Sequence, residues 1–173
     1  GPPRPPSPKT FASPDGSYSI RMEHIEGQIF RWIKTGYQDL SCAKIDTKCM
    51  DYIVSSDWYK SSDHRIYLCL DATNFTGISR QARSYFNEES SKTPQLKGIA
   101  SYGLSWPIRV LASLFQFHKK EVPFGVYADE ERALGNLRTL QQKKSPPARE
   151  SPKLKVFLER NIAHTETVAF NDR

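Results

Sequence analysis

One segment restricts the fold of this chain more than any other: RIYLCLDA, at residues 65–72, is apolar at both odd and even positions. Successive side chains of a β-strand point to opposite faces of its sheet, so a strand with one face in water alternates apolar and polar residues. A strand without that alternation has both faces covered by other parts of the protein. The segment therefore predicts a strand buried in the middle of a sheet.

The residues before this strand predict a hairpin and a helix. Residues 17–37 alternate apolar and polar side chains and break at Glu26 and Gly27, as two antiparallel strands joined by a two-residue turn would. Gly27 is expected to supply the positive φ of that turn. Residues 38–58 then carry apolar side chains at helical spacing, with Asp39 near the start. The side chains expected to face inward from this helix are Leu40, Ala43, Thr47, Met50 and Val54.

The residues after this strand alternate between helix and strand patterns. Helices are predicted over residues 79–92, 106–120 and 129–144, and short strands over residues 96–103 and 123–129. Strands that alternate with helices favour a parallel sheet, because parallel neighbours need a crossover connection. The predicted fold class is α/β: a mixed sheet that opens with an antiparallel hairpin, continues with largely parallel strands and has helices packed on it.

The composition predicts one domain between two linkers. Residues 1–16 contain six prolines, and residues 145–173 begin with a second proline-rich stretch, which is typical of linkers. We therefore predict a single domain over residues 17–144. Residues 145–173 are predicted to be a linker that could contain a short docking helix. Ser-Pro pairs occur in both linkers and could be modified, although such pairs are common by chance in proline-rich segments.

Several classes of function find little support in the sequence. The formal net charge of +6 is spread along the chain, which argues against specific nucleic-acid binding. No apolar run approaches the roughly 20 residues of a membrane-spanning helix. The three cysteines, an odd number, are expected to be reduced and mostly buried, which predicts a cytoplasmic location.

The sequence also contains no recognisable motif for catalysis or metal binding. The four histidines are dispersed, and neither a glycine-rich phosphate loop nor a nucleophile motif is present. Asp71, at the end of the buried strand, has the position of a catalytic or metal-binding carboxylate, but a hydrogen bond to backbone amides of the following loop is the simpler interpretation. We therefore predict no catalytic residue, no metal, no cofactor and no enzyme activity.

The predicted helix at residues 106–118 is apolar over more than one stripe, whereas a helix that covers one face of a small sheet needs only one. Three interpretations stay open: a helix buried on both sides, an oligomer interface, or the wall of an apolar pocket. The residues chosen for the last two are Trp106, Val110, Leu111, Leu114, Phe115 and Phe117.

The segment LCLDATNFTGISRQARSYF, at residues 68–86, resembles the central segment of STAS domains, which are named after sulfate transporters and anti-sigma-factor antagonists. In these domains a strand that ends in Leu-Asp leads through a short loop into a helix that docks partner proteins. Residues 104–137 are similar to the second half of a STAS-like branch of uncharacterised bacterial proteins. The likeness extends over residues 17–142 and implies a single STAS-like domain, similar in architecture to the CRAL-TRIO lipid-transfer domains.

The resemblance implies that the loop after the buried strand and the following helix bind a partner. Phospho-switched antagonists carry an Asp-Ser pair here, whose serine accepts the phosphate. In this chain Ser79 stands at the place of the aspartate and Arg80 at that of the serine. Ser79 is expected to cap the helix and is a candidate phosphorylation site. The residues expected to bind the partner are Thr73, Asn74, Thr76, Ser79, Arg80 and Arg83.

The sequence thus predicts a non-catalytic regulatory module that acts by protein–protein contact. We expect it to self-associate and to form part of a signalling or scaffolding protein. The alternative is a carrier domain for a lipid or another apolar ligand, with a cavity under the helix at residues 106–118.

Overall fold

A mixed sheet of six strands forms the framework of the computed structural model, which describes residues 1–105 and 122–143. The strands are β1 (Lys9–Ala12), β2 (Tyr18–Glu26), β3 (Ile29–Gln38), β4 (Ile66–Ile78), β5 (Leu96–Tyr102) and β6 (Phe124–Tyr127). The helices of the described ranges are α1 (Leu40–Val54), α2 (Asp57–Lys60), α3 (Arg80–Ser91) and α4 (Glu130–Lys143). The strands lie side by side in chain order, antiparallel from β1 to β3 and parallel from β3 to β6. The predicted α/β architecture is therefore confirmed.

The hairpin between β2 and β3 has the predicted two-residue turn, one residue later than the break at Glu26 and Gly27 in the sequence pattern. Glu26 pairs with Ile29, so the connection consists of Gly27 and Gln28. Gly27 has a φ of 50°, in the left-handed region that glycine adopts without steric cost. Local turn chemistry was sufficient to place this element.

Strand β1 lies within the residues that the composition marks as a linker. Its four residues pair antiparallel with β2, and Phe11 packs against the core while its neighbours Thr10 and Ala12 are exposed. The proline content of residues 1–16 hid this short alternation. A strand at the edge of a sheet needs only one hydrogen-bonded neighbour, so a short segment beside prolines can form it.

The two faces of the sheet are covered by different helices. On one face, α1 and α3 pack beside each other, and α1 covers the large apolar side chains of β2 and β3. On the other face, α4 packs on β4 and β5 through Ala133, Leu134 and Leu137. Strand β4 sends Leu68 to the first core and Cys69 to the second, which explains why its sequence does not alternate. All three cysteines are free and buried, as expected.

Helix α1 forms where it was predicted, with Asp39 as its N-cap, but of the five residues at helical spacing only Ala43 and Met50 are buried. Leu40 is exposed, and Thr47 and Val54 are only partly buried. The buried residues of the helix are Cys42, Ala43, Ile45, Asp46, Cys49, Met50 and Ile53. Asp46 was not among the five residues at helical spacing. Asp46 is buried because the sheet supplies it with hydrogen-bond donors.

Strand β4 extends further than predicted. The sequence pattern placed a polar loop after Asp71, whereas β4 continues to Ile78 and pairs with the second half of β3. The pairing shifts register twice, between Ile33 and Thr35 and between Gly36 and Tyr37, so the outer half of β4 is irregular. Hydrogen bonds to the backbone of β3 keep the polar residues after Asp71 extended, although their side chains are typical of a loop.

Candidate contact surface

The edge of the sheet where β3 and β4 end is also the place where α1 and α3 begin. Both helices start here because each follows one of two parallel strands. Among the described residues, the large apolar side chains with high exposure are Tyr37, at 51%, and Leu40, at 43%. They lie three residues apart, at the end of β3 and in the first turn of α1. We name the region formed by Tyr37, Leu40, Thr76 and Arg80 the contact surface.

The ring of Tyr37 lies against the backbone of the neighbouring strand. A Cβ atom placed on Gly77 would come within 3.0 Å of the Tyr37 ring, so only glycine leaves room for the ring in this position. The Tyr37 ring thus packs on Gly77, the residue that follows Thr76 in β4. A large apolar side chain that is exposed and also held in place loses little conformational entropy when a partner covers it.

Two capped helix starts border the contact surface. The Asp39 carboxylate accepts a hydrogen bond of 2.9 Å from the Cys42 amide, and hydrogen bonds from Ser41 and Cys42 lower the pKa of Asp39. The Ser79 hydroxyl accepts a hydrogen bond of 3.1 Å from the Ala82 amide at the start of α3. The predicted N-cap role of Ser79 is thus present in the structure.

Replacing Ser79 by alanine is expected to lower the free energy of unfolding by about 1 kcal/mol, because the Ala82 amide loses its acceptor. Urea unfolding at neutral pH measures the loss. Ser84→Ala, at an exposed position of the same helix, serves as the matched control and is expected to change stability by less than about 0.5 kcal/mol. Equal losses in the two variants would contradict the capping role.

The structure places the six predicted partner-binding residues along β4 and the start of α3. Four of them are exposed (Thr73, Asn74, Thr76 and Arg80), Arg83 is half-buried, and Ser79 is 9% exposed. Thr76 and Arg80 belong to the contact surface. Thr73 lies towards β5 instead, since a Cβ atom on Gly103 would stand 2.5 Å from the Thr73 hydroxyl. Partner binding by these residues stays a prediction.

Asp71 has the role that the simpler interpretation gave it. Its carboxylate accepts a hydrogen bond of 3.0 Å from the Thr73 amide. Asp71 is paired in register with Tyr102, and Tyr102 with Tyr127, at the carboxyl ends of three parallel strands. Burial, followed by the neighbouring charges of Asp71 and Glu130, raises the pKa of the Tyr102 phenol. Within residues 1–105 and 122–143, no group of three His, Cys, Asp or Glu side chains could hold a metal ion.

A buried polar network beneath the contact surface was missed by the sequence analysis. The Asp46 carboxylate accepts hydrogen bonds from the Tyr18 hydroxyl at 2.6 Å, from the Gln38 amide at 2.8 Å and from the Lys34 ammonium at 2.7 Å. Burial and the charge of Asp46 raise the pKa of Tyr18. The network joins β2, β3 and α1. A signal was available, because Asp46 occupies a position between apolar residues of the helix.

The Lys34 ammonium also faces two aromatic rings. It lies 5.7 Å from the centre of the Phe75 ring on β4 and 5.3 Å from that of Phe86 on α3. A second contact ties the two helices together, a hydrogen bond of 2.9 Å between the hydroxyls of Thr47 and Tyr85. The strands and helices that carry the contact surface are therefore fixed to one another from below.

The predicted oligomer interface or apolar pocket cannot be placed in the same way, since it lies outside the described residues. This applies to Trp106, Val110, Leu111, Leu114, Phe115 and Phe117, and to the whole of the predicted C-terminal linker at residues 145–173. Among the described helices, none has the length and apolar character needed to cross a membrane.

Comparison with known proteins identifies the fold. No protein-family model matches the chain, and no curated protein matches it either. Six chains among the solved structures do match. One is an uncharacterised protein of the DUF3478 family from Shewanella loihica PV-4, described as having a SpoIIAA-like fold. It is 15% identical, the match covers 70% of this chain and 93% of that one, and the TM-score is 0.52. The STAS-like fold implied by the sequence resemblance is confirmed.

Proposed function

We propose, from its SpoIIAA-like fold, that this chain is a non-catalytic regulatory module that docks a second copy of itself through the contact surface. The observation that carries the proposal is the exposure of two large apolar side chains only three residues apart in the chain, Tyr37 at 51% and Leu40 at 43%. Aromatic and leucine side chains held at the surface lose their contact with water when a partner covers them.

The charges around Tyr37 and Leu40 favour a second copy as the partner. An interface between two copies related by a two-fold axis uses the same surface twice, so that surface must be complementary to itself. Exposed residues of both signs adjoin the apolar pair, with Asp39 before α1, Lys44 one turn into α1 and Arg80 at the start of α3. The acidic group of one copy can therefore meet a basic group of the other.

The buried network supports this use of the surface. Asp46, Lys34 and Gln38 fix the end of β3 to α1, so Tyr37 and Leu40 keep their relative positions before binding. A preorganised surface binds more tightly than a mobile one of the same composition, because less conformational entropy is lost on association.

Replacing both Tyr37 and Leu40 by serine is expected to weaken self-association at least tenfold, since each removes an apolar contact worth about 1 kcal/mol or more. Sedimentation velocity over a concentration series measures the dissociation constant, and circular dichroism checks that the variant is folded. Lys60→Ser, at an exposed position of α2, is the control and should leave the constant unchanged. A wild-type chain that stays monomeric at concentrations on the order of 100 µM would contradict self-association.

Phosphorylation of Ser79 is a separate hypothesis within this proposal. Its hydroxyl is largely buried and caps α3, so a kinase reaches it only when the first turn of that helix opens. A phosphate there would add negative charge at a helix N-terminus, beside Arg80. A phosphosite map of the protein isolated from its host tests the idea, and a Ser79 that is never occupied argues against it.

A further inference from the structure

An aromatic side chain near the end of α1 contacts the proline-rich segment at residues 1–16, which we name the leader. Pro6 is buried, and the Tyr52 hydroxyl donates a hydrogen bond of 3.2 Å to the Ser7 carbonyl. The Lys9 ammonium lies 4.9 Å from the centre of the Tyr52 ring and 5.1 Å from that of Phe11. The two rings meet edge to face at 5.7 Å. The Ser7 carbonyl, the Lys9 ammonium and the Phe11 ring thus all contact Tyr52, and these contacts attach β1 to α1.

Two serines followed by proline lie within the described residues, in opposite environments. Ser7 is exposed, and its contact with α1 is made by the carbonyl rather than by the hydroxyl. Ser13 is buried, and its hydroxyl donates to the Asp15 carboxylate at 2.8 Å and accepts from the Tyr18 amide at 3.0 Å. An enzyme that modifies serine before proline can reach Ser7 directly, whereas Ser13 requires the β1–β2 turn to open.

We propose that Ser7 is a phosphorylation site for a proline-directed serine kinase, and that its phosphate loosens the attachment of β1 to α1. The kinase transfers the γ-phosphoryl group of Mg-ATP to the Ser7 oxygen, its catalytic carboxylate takes the hydroxyl proton, and ADP leaves. The new group carries a charge of about −1.5 to −2 at pH 7. Charge-assisted hydrogen bonds to phosphate are stronger than a cation–π contact at an exposed site, so Lys9 turns from the rings to the phosphate.

The site is tested on the full chain with Ser145→Ala and Ser151→Ala, which removes the Ser-Pro pairs of the C-terminal segment. The protein is incubated with a proline-directed kinase and Mg-ATP, and modified residues are mapped by mass spectrometry. Ser7 is expected to be phosphorylated at least about tenfold faster than Ser13, because Ser13 must first open. Equal rates at the two serines, or no modification of Ser7, would overturn the proposal.

The effect of the phosphate is tested by amide hydrogen exchange of residues 9–12. Phosphorylation is expected to speed exchange about three- to fivefold, the loss that corresponds to an exposed cation–π contact. In Lys9→Met no ammonium can be withdrawn from the rings, so phosphorylation should leave exchange of these residues unchanged. Unaltered exchange in the phosphorylated protein, or the same acceleration in Lys9→Met, contradicts the role assigned to Lys9.

Discussion

Replacing Asp46 by alanine is expected to lower the free energy of unfolding by about 3–5 kcal/mol. The substitution leaves the Lys34 ammonium without its carboxylate, although the Lys34 side chain is only 12% exposed. It also removes the acceptor of the Tyr18 hydroxyl, which is buried as well. Stranding a buried charge costs more than the ion pair contributes, and this explains the size of the effect. Urea unfolding followed by circular dichroism measures it.

A double-mutant cycle separates the ion pair from the packing. Lys34→Met alone should cost less than Asp46→Ala, because Asp46 keeps Tyr18 and Gln38 as donors. The double variant Asp46→Ala/Lys34→Met should cost less than the sum of the two single changes, since neither charge is then left unpaired. If Asp46→Ala does not fold, Asp46→Asn gives a smaller loss that can be measured, because the amide oxygen still accepts from Tyr18 or Gln38. A loss below about 1 kcal/mol in Asp46→Ala would show that water reaches the network.

Replacing Gly36 by alanine is expected to cost about 3 kcal/mol or more. Gly36 has a φ of 93°, and a Cβ atom there would lie 1.9 Å from the Ser17 carbonyl oxygen. Neither side can yield easily, because Gly36 is paired with Tyr18, a fully buried core residue of the adjacent strand. The backbone strain of a side chain at positive φ adds to the collision. Thermal and urea unfolding both measure this loss.

Alanine substitutions at two other glycines distinguish backbone strain from the steric collision with Ser17. Gly16 has a φ of 74° but no atom within 4 Å of a Cβ position, so Gly16→Ala should cost only the conformational strain, about 1–2 kcal/mol. Gly135 lies in the exposed face of α4 with open space around it, and Gly135→Ala should raise stability by about 1 kcal/mol. If Gly36→Ala costs no more than Gly16→Ala, the Ser17 contact is not the cause.

The features that could be predicted from the sequence are those set within a few residues. The hairpin at Gly27, the caps Asp39 and Ser79, and the doubly covered start of β4 each follow from a turn preference, a side-chain oxygen or a local pattern. Each of these features is formed by residues that are close together in the sequence. Its position can therefore be predicted without knowledge of the rest of the fold.

The contact surface was predicted only in part, because the exposure of some of its residues depends on tertiary structure. Thr76 and Arg80 were among the six residues that the STAS resemblance implied for partner binding, and that role stays a prediction. Tyr37 and Leu40 were not among these six: Tyr37 was interpreted as part of the hairpin only, and Leu40 was counted among the residues at helical spacing. Their exposure depends on where the sheet ends and how α1 is rotated on it.

The sequence alone determined the order of the elements from β2 to β6 apart from the short helix α2, and the position of α4, because the periods of two and 3.6 residues are properties of the chain itself. The tertiary structure decided which face of α1 is buried, how far β4 runs and that the leader supplies an edge strand. Each of these depends on a partner distant in sequence: Tyr18 and Lys34 for Asp46, β3 for the end of β4, and Tyr52 for the leader. A polar group can be buried only where hydrogen-bond partners offset the loss of its contacts with water. These partners are distant in sequence, so no local sequence pattern identifies them.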